Sequence, residues 1–142
     1  MTSRGRFSLL GRLAGAFALS LIVSGAIQQA ILRANGLSDP MSALPPLAIG
    51  LTLMTIVFAC VLWWRRSATV LRWTAVSILA AMLVLGLAFY LIGLSNITPG
   101  VGGDILYGLA LITDAYFLFP AAFGVPIHWL MLRSDATACR AD

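Results

Sequence analysis

The chain has no lysine and no glutamate. It has one histidine, two cysteines and only 10% charged residues among 142, against roughly 25% in ordinary soluble domains. Each scarcity excludes something. So few charges cannot cover a soluble globule of this size, so the composition belongs to the membrane class. Cys60 sits in an apolar run and Cys139 in a polar tail, and neither shares a metal-ligand spacing with another Cys or His. A zinc site is not indicated, and a disulfide is not expected in a tail placed on the reducing cytoplasmic side. The net charge of +4 comes entirely from arginine over aspartate. The arginines collect at the ends of apolar runs and form no surface stripe, so no nucleic-acid partner is expected.

What is abundant is apolar: 61% hydrophobic residues and a mean hydropathy of +0.98. Four long apolar runs cover about 13–32, 47–64, 70–94 and 105–132. Each approaches or exceeds the roughly 20 residues a helix needs to cross a bilayer. The expected fold is an all-α integral membrane protein, a single domain over 1–142. Its four transmembrane helices form an up-down antiparallel bundle, because short connections set neighbouring helices antiparallel. With the amino terminus inside, eight arginines (Arg4, Arg6, Arg12, Arg65, Arg66, Arg72, Arg133, Arg140) fall on the cytoplasmic side and only Arg33 outside. That bias places both termini in the cytoplasm. Arginine without lysine, with abundant Ala and Gly, points to a GC-rich bacterial genome, hence a multi-pass protein of the bacterial inner membrane.

The ends of the runs carry boundary signals. Asn35-Gly36 and Asp39-Pro40 mark a turn, and Pro45-Pro46 opens the second helix, where a missing N–H is harmless. Trp63, Trp64, Arg65 and Arg66 form an aromatic-then-basic edge, and Ser67–Thr69 turns the chain into the third run. The run from Thr98 to Gly103 is a glycine-rich loop without the Lys-Ser/Thr ending or preceding strand of a phosphate loop, and Asp104 suits a helix N-cap. Gly11 and Gly15 form a Gly-x-x-x-Gly pair, read first as packing within the chain and second as a homodimer face. The basic start followed by Ser24-Gly25-Ala26 also has the form of a cleavable signal peptide, against which the apolar run continues to Leu32. There is no internal repeat.

The fourth run carries the chemistry. Asp114 lies about 15 Å beyond Asp104 at 1.5 Å per residue, and ionisable groups at membrane depth face protein or water. Ser24, Thr52, Thr55, Gly86 and Tyr90 are expected near its level. The threonine hydroxyls are expected to bond back to their own helix. Tyr107, Asp114, Leu118, Ala121, Val125 and His128 fall on one stripe of a regular helix. Asp114 and His128 stand about 21 Å apart on that stripe, too far for a dyad but suited to two stations of one polar path, with His128 at the cytoplasmic end beside Trp129. Pro120 and Pro126 are expected to kink the helix and free the carbonyls of Tyr116 and Ala122.

These residues support three uses: a neutral, hydrogen-bonded Asp114 clasping two helices, a ligand or proton site, or a contact with another subunit. No catalytic residues stand out, because no nucleophile elbow, His-x-x-x-His pair or acid pair appears. No cofactor is predicted, and haem ligation by His128 is a minor alternative. The leading functional expectation is a non-enzymatic subunit or accessory factor of a larger membrane assembly, with lipid as its surroundings. The alternative is a small homo-oligomeric proton-linked transporter, or a lipid-, quinone- or pigment-binding protein, using Asp114. The topology is directly testable. A carboxy-terminal green fluorescent protein fusion is expected to fluoresce, and a carboxy-terminal periplasmic phosphatase fusion to be inactive. The reverse pattern overturns the orientation.

Overall fold

A computed structural model describes residues 3–34, 36, 44–65, 67–95 and 103–138, with side chains from Ser8 to Ala34, at Gly36, and over 44–65, 67–95 and 108–133. Every element among the described residues is helical: α1 (Ser3–Ala34), α2 (Leu44–Trp64), α3 (Ala68–Ser95), α4 (Gly103–Thr113) and α5 (Val125–Ala138). Two π-helical segments, Asp114–Leu118 and Pro120–Gly124, join α4 to α5, so 103–138 is one continuous fourth helical run. Four segments are long and apolar enough to cross a membrane: Ser8–Ala34, Leu44–Trp64, Ala68–Ser95 and Gly108–Arg133. The four expected runs are all present as helices. The loop residues 37–43 and 96–102, the tail with Cys139 and Arg140, and the side chains of Arg4, Arg6, Arg66, Asp104 and Tyr107 lie outside the described residues.

Local chemistry fixes the helix ends. Gly36 takes φ +75° and its N–H donates to the Arg33 carbonyl at 3.1 Å, a left-handed glycine stop to α1. The second helix begins at Leu44, so Pro45 and Pro46 both occupy its first turn, where no N–H is needed. The turn after α2 is shorter than the sequence suggests: Ser67 is already the cap of α3. Its hydroxyl accepts the Val70 N–H at 3.1 Å and its carbonyl accepts that of Leu71 at 2.9 Å.

Buried positions follow helical spacing. On α1 they are Leu9, Leu13, Ala16, Ser20, Ser24, Gln28 and Leu32, three or four residues apart along one face, with Gly25 beside them. On α2 they are Leu47, Gly50, Leu51, Met54, Phe58 and Leu62. On α3 only Leu71, Ala75, Ile78 and Gly86 are buried. These faces meet the fourth run, and one apolar cluster extends from Leu9 and Leu132 through Phe58 and Met54 to Phe119 and Ala115. Gly15 of the Gly-x-x-x-Gly pair packs inside the chain, where an added Cβ would lie 3.2 Å from Met131 Cε; Gly11 has nothing within 4 Å.

The fourth run departs from a regular helix around Pro120. Proline has no N–H, and the hydrogen-bond register widens by one residue on either side of it. Phe119 N–H reaches the Asp114 carbonyl and Val125 N–H reaches the Pro120 carbonyl, both five residues back. The expected disturbance thus takes the form of two wide turns. The Tyr116 carbonyl, which a regular helix would pair with residue 120, lies against Gly50 of α2. Gly124 approaches the side chains of Leu51 and Met54, 2.8 Å from an added Cβ. Glycine at these two positions lets the backbones approach. Pro126, the second residue of α5, is exposed. Replacing Gly50 with valine forces a side chain onto the Tyr116 carbonyl and the Pro120 ring. Thermal unfolding in detergent is expected to show a loss of about 1–3 kcal/mol or more, whereas Gly11→Ala is expected to be neutral.

Candidate functional site

The polar side chains separate into two places. The first is the interior, around His128. This residue is 0% exposed. Its Nδ1 lies 2.9 Å from the Gly124 carbonyl and its Nε2 2.9 Å from Thr55 Oγ1. A carbonyl only accepts, so Nδ1 carries the proton in that contact, and Nε2 pairs with the Thr55 hydroxyl. That hydroxyl is also 2.7 Å from the Leu51 carbonyl, so it is shared between the ring and its own helix. Ser20 Oγ stands 3.4 Å from Nδ1, at the edge of hydrogen-bond range. Phe58 stacks on the ring, centroids 5.4 Å apart at 14°. The imidazole therefore ties α1, α2 and the fourth run together.

His128 was expected at the cytoplasmic end of the run, beside Trp129. It is found level with the middle of α1 and α2, facing inward. Trp129, one residue on and turned by about 100°, is half-buried with the Arg133 guanidinium 5.7 Å from its ring centroid. The histidine is core, and Trp129, about 1.5 Å further along the helix, sits at nearly the same level.

Ser24 and Gln28 continue the polar stripe of α1 beyond Ser20 at one-turn spacing. Both are buried, at 0% and 2% exposure, and among the described residues the Ser24 hydroxyl and both ends of the Gln28 amide have no hydrogen-bond partner. Sequence reading did not single out Gln28 or Ser20. Their spacing of four from Ser24 was the available signal.

The second place is a cleft of about 260 Å³ between α3 and the fourth run. Asp114, Thr113 and Tyr90 supply its polar groups, and Met82, Gly86, Ala110 and Phe117 are among its apolar walls. Gly86 permits this closeness, since an added Cβ there would meet Phe117 Cβ at 3.0 Å. Phe117 also packs against Phe89 of the same helix α3, centroids 6.0 Å apart. Thr113 turns its hydroxyl to the Leu109 carbonyl at 2.8 Å. Leu83, Leu87 and Leu118, also in the lining, are 49%, 60% and 47% exposed, so the cleft opens on the outer surface of the bundle. Asp114 is half-buried, and among the described residues no side chain forms an ion pair or hydrogen bond with its carboxyl.

The predicted residues are therefore divided. Asp114 and Tyr90 come together, with Gly86 beside them. Thr55 joins His128 instead. Thr52 bonds back to Ala48 at 2.7 Å and is exposed, away from both places. Ser24 lies in the α1 stripe, and Tyr107's side chain lies outside the described residues. The single stripe from Asp114 to His128 does not exist. In a regular helix the two would sit about 40° apart, but each widened turn delays the helix by about 100° and throws them onto different faces. No group of three His, Cys, Asp or Glu near enough to hold a metal exists among the described residues.

Two stability outcomes follow. Thr55→Val leaves a buried ring nitrogen unpaired and is expected to destabilise by about 1–3 kcal/mol. Gln28→Leu removes an unpaired buried amide and is expected to stabilise by about 1 kcal/mol or more. Thermal unfolding in one detergent reads both, and a destabilised Gln28→Leu would show that the amide has a partner. Comparison with known protein families, curated proteins and solved structures found no match to this chain.

Proposed function

We propose that this is a multi-pass membrane protein, an antiparallel four-helix bundle with both termini cytoplasmic, that takes a small lipid-soluble molecule from the bilayer into the cleft between α3 and the fourth run. Support for the orientation comes from the arginine distribution. The antiparallel arrangement draws on paired contacts, Gly15 with Met131 and Ser20 with His128, which run in opposite chain directions along α1 and the fourth run.

The observation that carries the binding reading is Asp114, with Thr113 and Tyr90, in a largely apolar, laterally open cleft. Binding sites are mostly apolar with a few polar groups that fix orientation, and an ionisable residue in an apolar span is costly enough to be a functional candidate by default. The outward position of the cleft gives access from the side. The interior around His128 offers no such access and serves packing and alignment.

A second reading makes the protein a subunit of a larger assembly, and it draws on α3. Only 17% of that helix's most apolar window is buried within the chain, less than in any other membrane-length helix. Trp73, Val76, Val84 and Ile92 all face outward from it. The two readings separate by gentle purification into lipid nanodiscs followed by native mass spectrometry. Retention of a small molecule by a single polypeptide species favours the cleft, and a stoichiometric second polypeptide favours the assembly. In the first case Leu87→Trp, which fills the cleft from its exposed wall, is expected to lower retention about tenfold or more. Unchanged retention in that variant moves the molecule elsewhere and removes the cleft from the argument.

A further inference from the structure

Resting on the reading of the cleft as a binding site, we infer that its ligand is a lipid-soluble organic cation, an amine or quaternary ammonium on an apolar body, with its charge set against Asp114.

The inference starts from charge balance. A carboxyl in apolar surroundings takes up a proton, or keeps its charge against a counter-charge or a set of donors. The cleft supplies no basic residue: its walls are Met82, Leu83, Gly86, Leu87, Ala110, Phe117 and Leu118, with Tyr90 and Thr113 beside the acid. Lysine is absent from the whole chain, and Asp114 has no ion-pair partner among the described residues. Thr113, the adjacent hydroxyl, is already directed to the Leu109 carbonyl. The complement is therefore a positive group brought from outside.

The walls fit the rest of such a ligand. Tyr90 and Phe117 bring aromatic rings to the cleft, and ring faces attract cations most strongly where water is excluded. A volume of about 260 Å³ suits the charged head and the first part of an apolar body. The remainder extends past Leu83 and Leu87 toward the outer surface. An anionic lipid head is disfavoured by the same carboxylate, and a neutral molecule gains nothing from its charge.

The test uses the full chain in nanodiscs and two photoreactive probes of equal length, a diazirine-bearing long-chain amine and the matching alcohol. Adducts are mapped by mass spectrometry. The amine is expected to label the cleft residues about tenfold more than the alcohol. Excess dodecyltrimethylammonium is expected to displace it, Asp114→Asn to bring the two probes level, and Asp114→Glu to keep the preference. Equal labelling of the cleft by both probes in the unaltered protein overturns the cation while leaving the cleft as a binding site. Labelling of the cleft by neither overturns both. The amine–alcohol comparison needs no variant, so a misfolded Asp114→Asn does not remove the test.

Discussion

The arrangement depends on a break in the backbone hydrogen-bond ladder of the fourth run. Pro120 has no N–H, and the helix around it closes its hydrogen bonds five residues back at Phe119 and Val125. The widened turns change which residues face which neighbour. Asp114 and Phe117, in the first widened segment, line the cleft with α3; Gly124, closing the second, meets α2, and His128 beyond it reaches α1 and α2. Without that change of phase, the acid and the histidine would share one face, and the bundle would have to bury or expose both together.

The same region explains the glycines. A helix with wide turns has a larger radius and presents backbone to its neighbours, so close contact needs small partners. Gly50 receives the Tyr116 carbonyl, and Gly124 makes room for Leu51 and Met54. On the other side Gly86 receives Phe117. These contacts matter more where lipid surrounds the protein, because association of apolar helices then rests on close packing and hydrogen bonds instead of on expulsion of water.

The sequence made the helices legible because length and hydropathy act within one segment. It also marked Asp114, His128 and Pro120 as unusual, and it brought Asp114, Tyr90 and Gly86 to one level by counting residues from the helix ends. It misplaced His128, because a histidine beside Trp129 and near Arg133 looks like a boundary residue, and direction around the helix is not visible in neighbours along the chain. It joined Asp114 and His128 on one stripe because a 100° rule assumes regular turns. A proline reports that a turn is disturbed, not by how many residues the register slips. Gln28 escaped notice because polar residues near a helix end usually reach water, and only the three-dimensional packing shows this one enclosed.

Ser20, Ser24 and Gln28 recur along α1 at every fourth residue, which has a consequence for how the bundle selects its alignment. Sliding α1 one turn in one direction would offer His128 the hydroxyl of Ser24 in place of Ser20, but would drive Leu19 onto Met131 where Gly15 now fits. Sliding it one turn the other way would offer Met131 another glycine, Gly11, but would leave His128 facing Ala16. Neither the hydroxyl nor the glycine is unique by itself. Only their conjunction is, so two individually ambiguous recognitions act together as a two-key lock on the vertical position of the first helix.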